Sequence, residues 1–164
     1  MHLAGKVSIR APRPLVIAAL HQADMLAAFL PGDVRVTARD ASRFDVEFRR
    51  DFGRITVKLR GNLTIHPNVP GSSYHFVMHS KHLLAGSVNL EMTMQFDGKA
   101  PTDMSYTGTL TVGGLAARML AERQDRVQPK LDEMFAGLKQ RIEAARAQEA
   151  RPLSDFRSIH DQFS

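Results

Sequence analysis

The chain has 164 residues, no cysteine and a formal net charge of +5, from 22 Lys and Arg against 17 Asp and Glu. This length is typical of one domain, and the missing thiols exclude disulfides, thiolate metal sites and cysteine nucleophiles. Residues 1–6 do not lead into a signal-peptide pattern, and no apolar run approaches the roughly 20 residues of a membrane helix. The sequence therefore predicts a soluble cytoplasmic protein.

The basic residues concentrate between positions 35 and 60, which contain eight Lys and Arg. No aromatic residues are interleaved with them, as they would be on a platform that stacks single-stranded bases. We interpret this segment as the solvated outer face of a sheet and predict no nucleic-acid partner.

The first predicted elements are a strand and two short helices. Apolar residues at every second position from Leu3 to Ile9 indicate a half-buried strand. Residues 14–20 are helical in character, with Pro14 suited to a first turn. A second short helix, residues 24–30, is closed by proline and glycine.

Residues 34–112 predict a series of antiparallel strands. Apolar residues such as Phe44, Val46 and Phe48 alternate with charged ones, and turn residues separate the runs at hairpin spacing. Gly61, in the middle of a long run, predicts a bend or bulge. Residues 67–73 are typical of a turn.

The last predicted element is a helix of about 30 residues that begins after Gly113 and Gly114. Its apolar residues recur at helical steps and define one stripe. Pro129 predicts a kink or break near Arg126, because proline removes one backbone bond and clashes with the preceding turn.

With its elements in this order, the chain resembles the START-like (SRPBCC) helix-grip superfamily and, within it, the CoxG family of carbon monoxide dehydrogenase. The likeness covers roughly residues 1–145. The segments that carry it are residues 3–5, 11–20, 26–32, Tyr106, 112–116 and 134–135.

The resemblance implies an α+β helix-grip fold. A curved seven-stranded antiparallel sheet, with two short helices after strand 1, would wrap around the long C-terminal helix and enclose a hydrophobic cavity. We expect this ligand-binding domain at residues 1–147 and a separate tail at 148–164. Residues 79–84 lack the glycine-rich stretch common in the family, and the tail lacks its usual hydrophobic anchor.

The resemblance also implies a function. Family members are associated with aerobic carbon monoxide dehydrogenase and related molybdenum hydroxylases, which they are thought to recruit to the membrane or supply with a quinone. We expect non-enzymatic binding of a quinone or lipid in the cavity, in the service of such an enzyme. The alternatives are a protein–protein adaptor that recruits the enzyme, and a START-like cyclase or hydratase.

The predicted ligand-binding side chains are apolar residues on inward faces, many of them methionines, whose flexible thioethers adapt to apolar guests. A plain filled core is the alternative interpretation. Tyr106 is the expected polar handle, because a buried phenol needs a hydrogen-bond partner. The full set is Phe44, Phe48, Leu59, Phe76, Met78, Leu90, Met92, Met94, Met104, Tyr106, Leu115 and Met119.

No pattern of a catalytic or metal site appears in the chain. His75, His79 and His82 are close in sequence, but positions four apart on a strand are separated by roughly 13 Å, too far to share a metal. Nucleophile-elbow, zinc-protease, dinucleotide and phosphate-loop motifs are absent. We predict no catalytic residues, no metal and no cofactor.

The tail contains four apolar residues at helical steps, Leu153, Phe156, Ile159 and Phe163. They predict a short amphipathic helix that docks on a partner or makes weak contact with the inner face of the membrane. Packing on its own domain or a neighbour is the alternative.

Overall fold

A computed structural model describes residues 1–52, 54–82 and 86–149. The strands are β1 His2–Ile9, β2 Asp33–Ala38, β3 Arg43–Phe52, β4 Ile55–Val69, β5 Ser73–His82, β6 Gly86–Asp97 and β7 Thr102–Gly113. The helices are α1 Arg13–Leu20, α2 Ala23–Phe29, α3 Leu115–Ala121 and α4 Gln124–Glu149. The predicted amphipathic tail helix lies outside the described residues.

The seven strands form one antiparallel sheet in the order β1-β7-β6-β5-β4-β3-β2. Consecutive strands from β2 to β7 pair as hairpins, and β1 returns to pair with β7. Each pairing is antiparallel, as expected for alternating strands joined by short turns. The predicted α+β helix-grip fold with a curved seven-stranded sheet is confirmed.

Helix α4 supplies the apolar stripe that closes the core. Leu131, Phe135, Leu138 and Ile142 are buried at steps of four, three and four, so they lie on one helical face. The ring of Phe135 contacts Phe29 of α2 with centroids 4.9 Å apart. These contacts hold α4 across the sheet and against α2.

The C-terminal helix is divided, but not at the predicted position. Helix α3 ends at Ala121 and α4 begins at Gln124, whereas Pro129 lies inside α4. Proline is tolerated there because it is near the helix start and its fixed φ suits helical backbone. None of the helices in the described ranges is long and apolar enough to cross a bilayer.

The predicted bulge at Gly61 is also misplaced. Gly61 pairs in regular register with Val46 and Ser80, and a Cβ there would lie 2.7 Å from the His79 carbonyl oxygen. Glycine is needed here for close approach of two strands. The register shift lies between Pro67 and Val69, which belong to β4 instead of the predicted turn.

Candidate functional site

The inner face of the sheet is tightly packed where α4 crosses it. Six of the predicted ligand-binding residues belong to this core and are at most 9 % exposed: Phe44, Phe76, Leu90, Met92, Met94 and Met104. An apolar crevice between α1 and the sheet, beside Met94, holds about 10 Å³, roughly one water-sized probe. At these positions the side chains fill the interior.

The same face becomes open toward α3. Phe48 on β3 and Leu59 on β4 are half-buried, as are Val88 on β6 and Val112 on β7. We call these four residues, with Leu115 and Met119 of α3, the apolar mouth. Met78 is half-buried at its border with the core.

The strand register brings the mouth residues together in pairs. Phe48 is opposite Leu59 on adjacent strands, and Val88 is opposite Val112. Helix α3 packs on β6 and β7, and α2 packs on β2, so helices border the mouth on two sides. Apolar side chains from both halves of the sheet therefore face one partly open space.

Leu115 and Met119 do not point into the interior as predicted. They are 53 % and 49 % exposed, and α3 buries none of its side chains. The break after Ala121 separates α3 from α4, so the two helices do not share one buried stripe. The helical steps in the sequence were right, but they could not show that α3 lies at the rim.

Tyr106 is 2 % exposed and its hydroxyl already has partners on α4. Gln128 Nε2 donates to it at 3.1 Å, and it donates to Asp132 Oδ1 at 3.4 Å. The ring stacks on Phe135 with centroids 4.3 Å apart. Burial raises the pKa of this phenol, and the nearby Asp132 carboxylate raises it further, against the opposing Gln128 hydrogen bond. Tyr106 secures α4, which differs from the predicted role as a handle for a ligand carbonyl.

Gln128 and Asp132 are the polar residues that the sequence analysis missed. They are four apart on α4 and bond to each other at 2.9 Å as well as to Tyr106. Their spacing places them on one helical face, but that spacing alone could not identify their partner on β7.

The histidines lie apart from the mouth. His79 bonds to Asn89 and His75 to Thr93, both neighbours on β6. Within the described residues, no three His, Asp or Glu side chains are grouped so that they could hold a metal ion.

The sheet, the paired short helices after β1 and the gripping α4 define a protein of the START-like helix-grip class. The family model for CoxG, the G-type subunit of carbon monoxide dehydrogenase, matches residues 5–143, and the chain belongs to this family. Comparison with curated protein sequences gives no significant match.

Solved structures share the fold at low sequence identity. A conserved protein from Geobacillus kaustophilus aligns with a TM-score of 0.70 and 16 % identity, over 88 % of this chain and 97 % of its own. The Zhui aromatase/cyclase from Streptomyces sp. R1128 aligns at 0.60 and 12 %, over 93 % and 97 %. A STAR-related lipid transfer protein from Xanthomonas axonopodis aligns at 0.58 and 10 %, over 85 % and 84 %.

Proposed function

We propose that this protein binds an apolar small molecule, a quinone or a lipid, at the apolar mouth. The observation that carries the proposal is the contrast within one sheet face, packed beneath α4 and open beside α3. Exposed apolar side chains that cluster in a concavity are typical of binding sites for apolar ligands.

The mouth offers enough apolar surface to hold a guest. Leu115 and Met119 are half exposed on one side, and Phe48 and Leu59 are half-buried on the other. Covering about 300 Å² of such surface would contribute about 7 kcal/mol. Association and ordering costs reduce that figure, so we expect a ligand that enters and leaves.

Helix α3 is the element that would admit the ligand. It has seven residues and buries no side chain, and Gly114 precedes it with a φ of +68°. A short helix with few buried contacts opens at low free energy. Its displacement would widen the mouth between the sheet and α4.

The comparisons support the nature of the guest and of the partner. The family name refers to carbon monoxide dehydrogenase, so we propose that the ligand is delivered to, or held for, a molybdenum hydroxylase of that kind. One solved relative is named for lipid transfer and another for an aromatase/cyclase. We propose sequestration without catalysis as the role of this chain.

Native mass spectrometry of the full chain would test ligand binding, with menaquinone, ubiquinone and a phospholipid as probes. We expect a one-to-one adduct with one of them. Leu59→Asp should reduce adduct formation at least tenfold, because a carboxylate would then face the apolar guest. Thr111→Asp, on the exposed outer face of β7, is the matched control and should bind as the unmodified chain does.

Two results would contradict the proposal. One is a chain that stays free of ligand after incubation with all three probes, which would favour the adaptor function. The other is equal binding by Leu59→Asp and Thr111→Asp variants that unfold at the same temperature as the unmodified chain, which would place the ligand elsewhere.

A further inference from the structure

The two edges of the sheet are treated differently, beginning with β1. Side chains of α4 occupy the free backbone groups along this edge. Gln128 Oε1 accepts from Ala4 N–H at 3.3 Å, Glu143 Oε1 accepts from Arg10 N–H at 2.9 Å, Lys139 Nζ donates to the Ser8 carbonyl at 2.9 Å, and Arg146 Nη1 donates to the Arg10 carbonyl at 2.8 Å. Such cover protects an edge strand from pairing with another chain.

The opposite edge, β2, has no such cover. Arg39 N–H donates to the Arg43 carbonyl at 2.9 Å, which fixes which residues of β2 bond to β3. By the alternation of an antiparallel ladder, the N–H and C=O groups of Val34, Val36 and Ala38 point away from β3. Within the described part of the chain these groups have no hydrogen-bond partner.

A charged groove of about 460 Å³ adjoins this edge on the outer face of β2, β3 and β4. It lies on the side of the sheet opposite the apolar mouth, because its side chains alternate with Val46 and Phe48. The charged side chains that line it are Arg35, Arg39, Arg60, Asp45 and Glu47.

The groove has three guanidinium groups against two carboxylates. Asp45 is bound to Arg39 at 2.6 Å, whereas Glu47 is 3.8 Å from Arg60, whose side chain is 83 % exposed. Arg35 forms no ion pair with any described residue. Arg35 and Arg60 flank Glu47 across the strands, so two cationic groups share one carboxylate.

We propose that β2 and this groove bind an extended acidic segment of a partner protein. The segment adds an eighth strand to the sheet, and its main chain bonds to Val34, Val36 and Ala38. Every second side chain of an added strand lies on the outer face. Carboxylates at those positions meet Arg35 and the groove beyond it, where opposite charges on adjacent strands stabilise the pair.

A second copy of the chain is a less favourable occupant. Antiparallel pairing of two β2 edges would bring together two grooves that each carry an excess of positive charge. An acidic segment instead neutralises that excess. The proposal concerns the outer face, so it stands or falls separately from ligand binding at the apolar mouth.

An eight-residue peptide in which Glu alternates with Thr is the probe, and the same peptide with Lys in place of Glu is its control. We expect binding of the Glu peptide to the full chain, measured by titration calorimetry, at least tenfold tighter than binding of the Lys peptide. Amide hydrogen exchange should slow at Val34, Val36 and Ala38. The affinity should fall with added salt.

Ala38→Pro removes an outward N–H without removing a bond to β3, and it should abolish peptide binding. Ala38→Ser is the matched control and should keep it. Arg35→Glu, which leaves the edge backbone intact, should weaken binding at least tenfold if the proline variant does not fold. Equal affinity for the Glu and Lys peptides, or protection of amides away from β2, would overturn the proposal. A dimer that Ala38→Pro dissociates would overturn it in favour of a second copy.

Discussion

The two halves of the inner sheet face have the same sequence pattern and different environments. Around Phe76 and Met92 the face is covered by α4, and these side chains are at most 1 % exposed. Around Phe48 and Leu59 the same strands carry equally apolar residues that remain half-buried. The difference shows that helix coverage, and not strand composition, decides where this sheet is core and where it is a binding surface.

The polar contacts follow the same division. On the packed half, Tyr106 is tied to Gln128 and Asp132, so α4 is held by hydrogen bonds as well as by apolar contacts. On the open half, α3 buries none of its side chains. The half that supplies stability is fixed, and the half that offers a site is bordered by a weakly held helix.

The largest expected effect comes from truncating one aromatic residue on each half. Phe76→Ala should lower the free energy of unfolding by about 3–5 kcal/mol, because it leaves a cavity in a packed core. Phe48→Ala should lower it by about 1 kcal/mol, because less apolar surface leaves a buried environment. Urea denaturation of both variants gives the two values. Equal losses would show that the mouth is as tightly packed as the core.

A pair of glycines tests the rigidity of the backbone at the mouth. Gly114→Ala should destabilise the chain by about 1–2 kcal/mol, since φ is +68° and the new Cβ would lie 3.0 Å from the Gly86 Cα. Gly137→Ala, in α4 with no atom within 4 Å of the new Cβ, should stabilise it by about 0.4–1 kcal/mol. Thermal unfolding gives both signs. A neutral Gly114→Ala would indicate that the α3 junction relaxes freely.

Tyr106→Phe tests the hydrogen bonds that hold α4. We expect a loss of about 1 kcal/mol, because the bonds to Gln128 and Asp132 disappear. The raised pKa means that the unfolded chain loses the phenol proton first, so wild-type stability falls as pH rises above the ordinary pKa of 10.0. The Phe variant should lack this contribution. Unfolding curves that fall equally in both proteins above pH 10 would contradict the assignment.

Glu143→Gln should have the smallest effect, below about 1 kcal/mol. Lys139, at 2.6 Å, and the Arg10 backbone N–H lower the pKa of Glu143 below its ordinary value of 4.5. Its stabilising contribution is present above pH 4.5 and is lost as pH falls through the lowered pKa. The variant should therefore show a weaker decline in stability in acid. Gln140→Glu, on the exposed side of α4, is a control that should leave the Lys139 contact intact.

Much of the fold could be predicted because it depends on local periodicity. The alternation around Phe44 and Val46 indicated strands, the steps from Leu131 to Ile142 indicated one buried helical face, and the hairpin spacing indicated an antiparallel sheet. Errors arose at Gly61 and Pro129, where one residue type permits several structures. Gly61 permits close strand approach and Pro129 is tolerated near a helix start, and the sequence alone did not distinguish these from a bulge and a break.

The sequence by itself determined which side chains face inward, because a strand alternates every residue and a helix repeats about every 3.6 residues. Only the tertiary structure decided that Met94 is core while Leu59 borders an opening, that Tyr106 is bonded to α4, and that β1 is covered while β2 is not. These outcomes depend on contacts between residues far apart in the chain, where α4 ends its coverage and which edge it protects. Local periodicity carries no information about either.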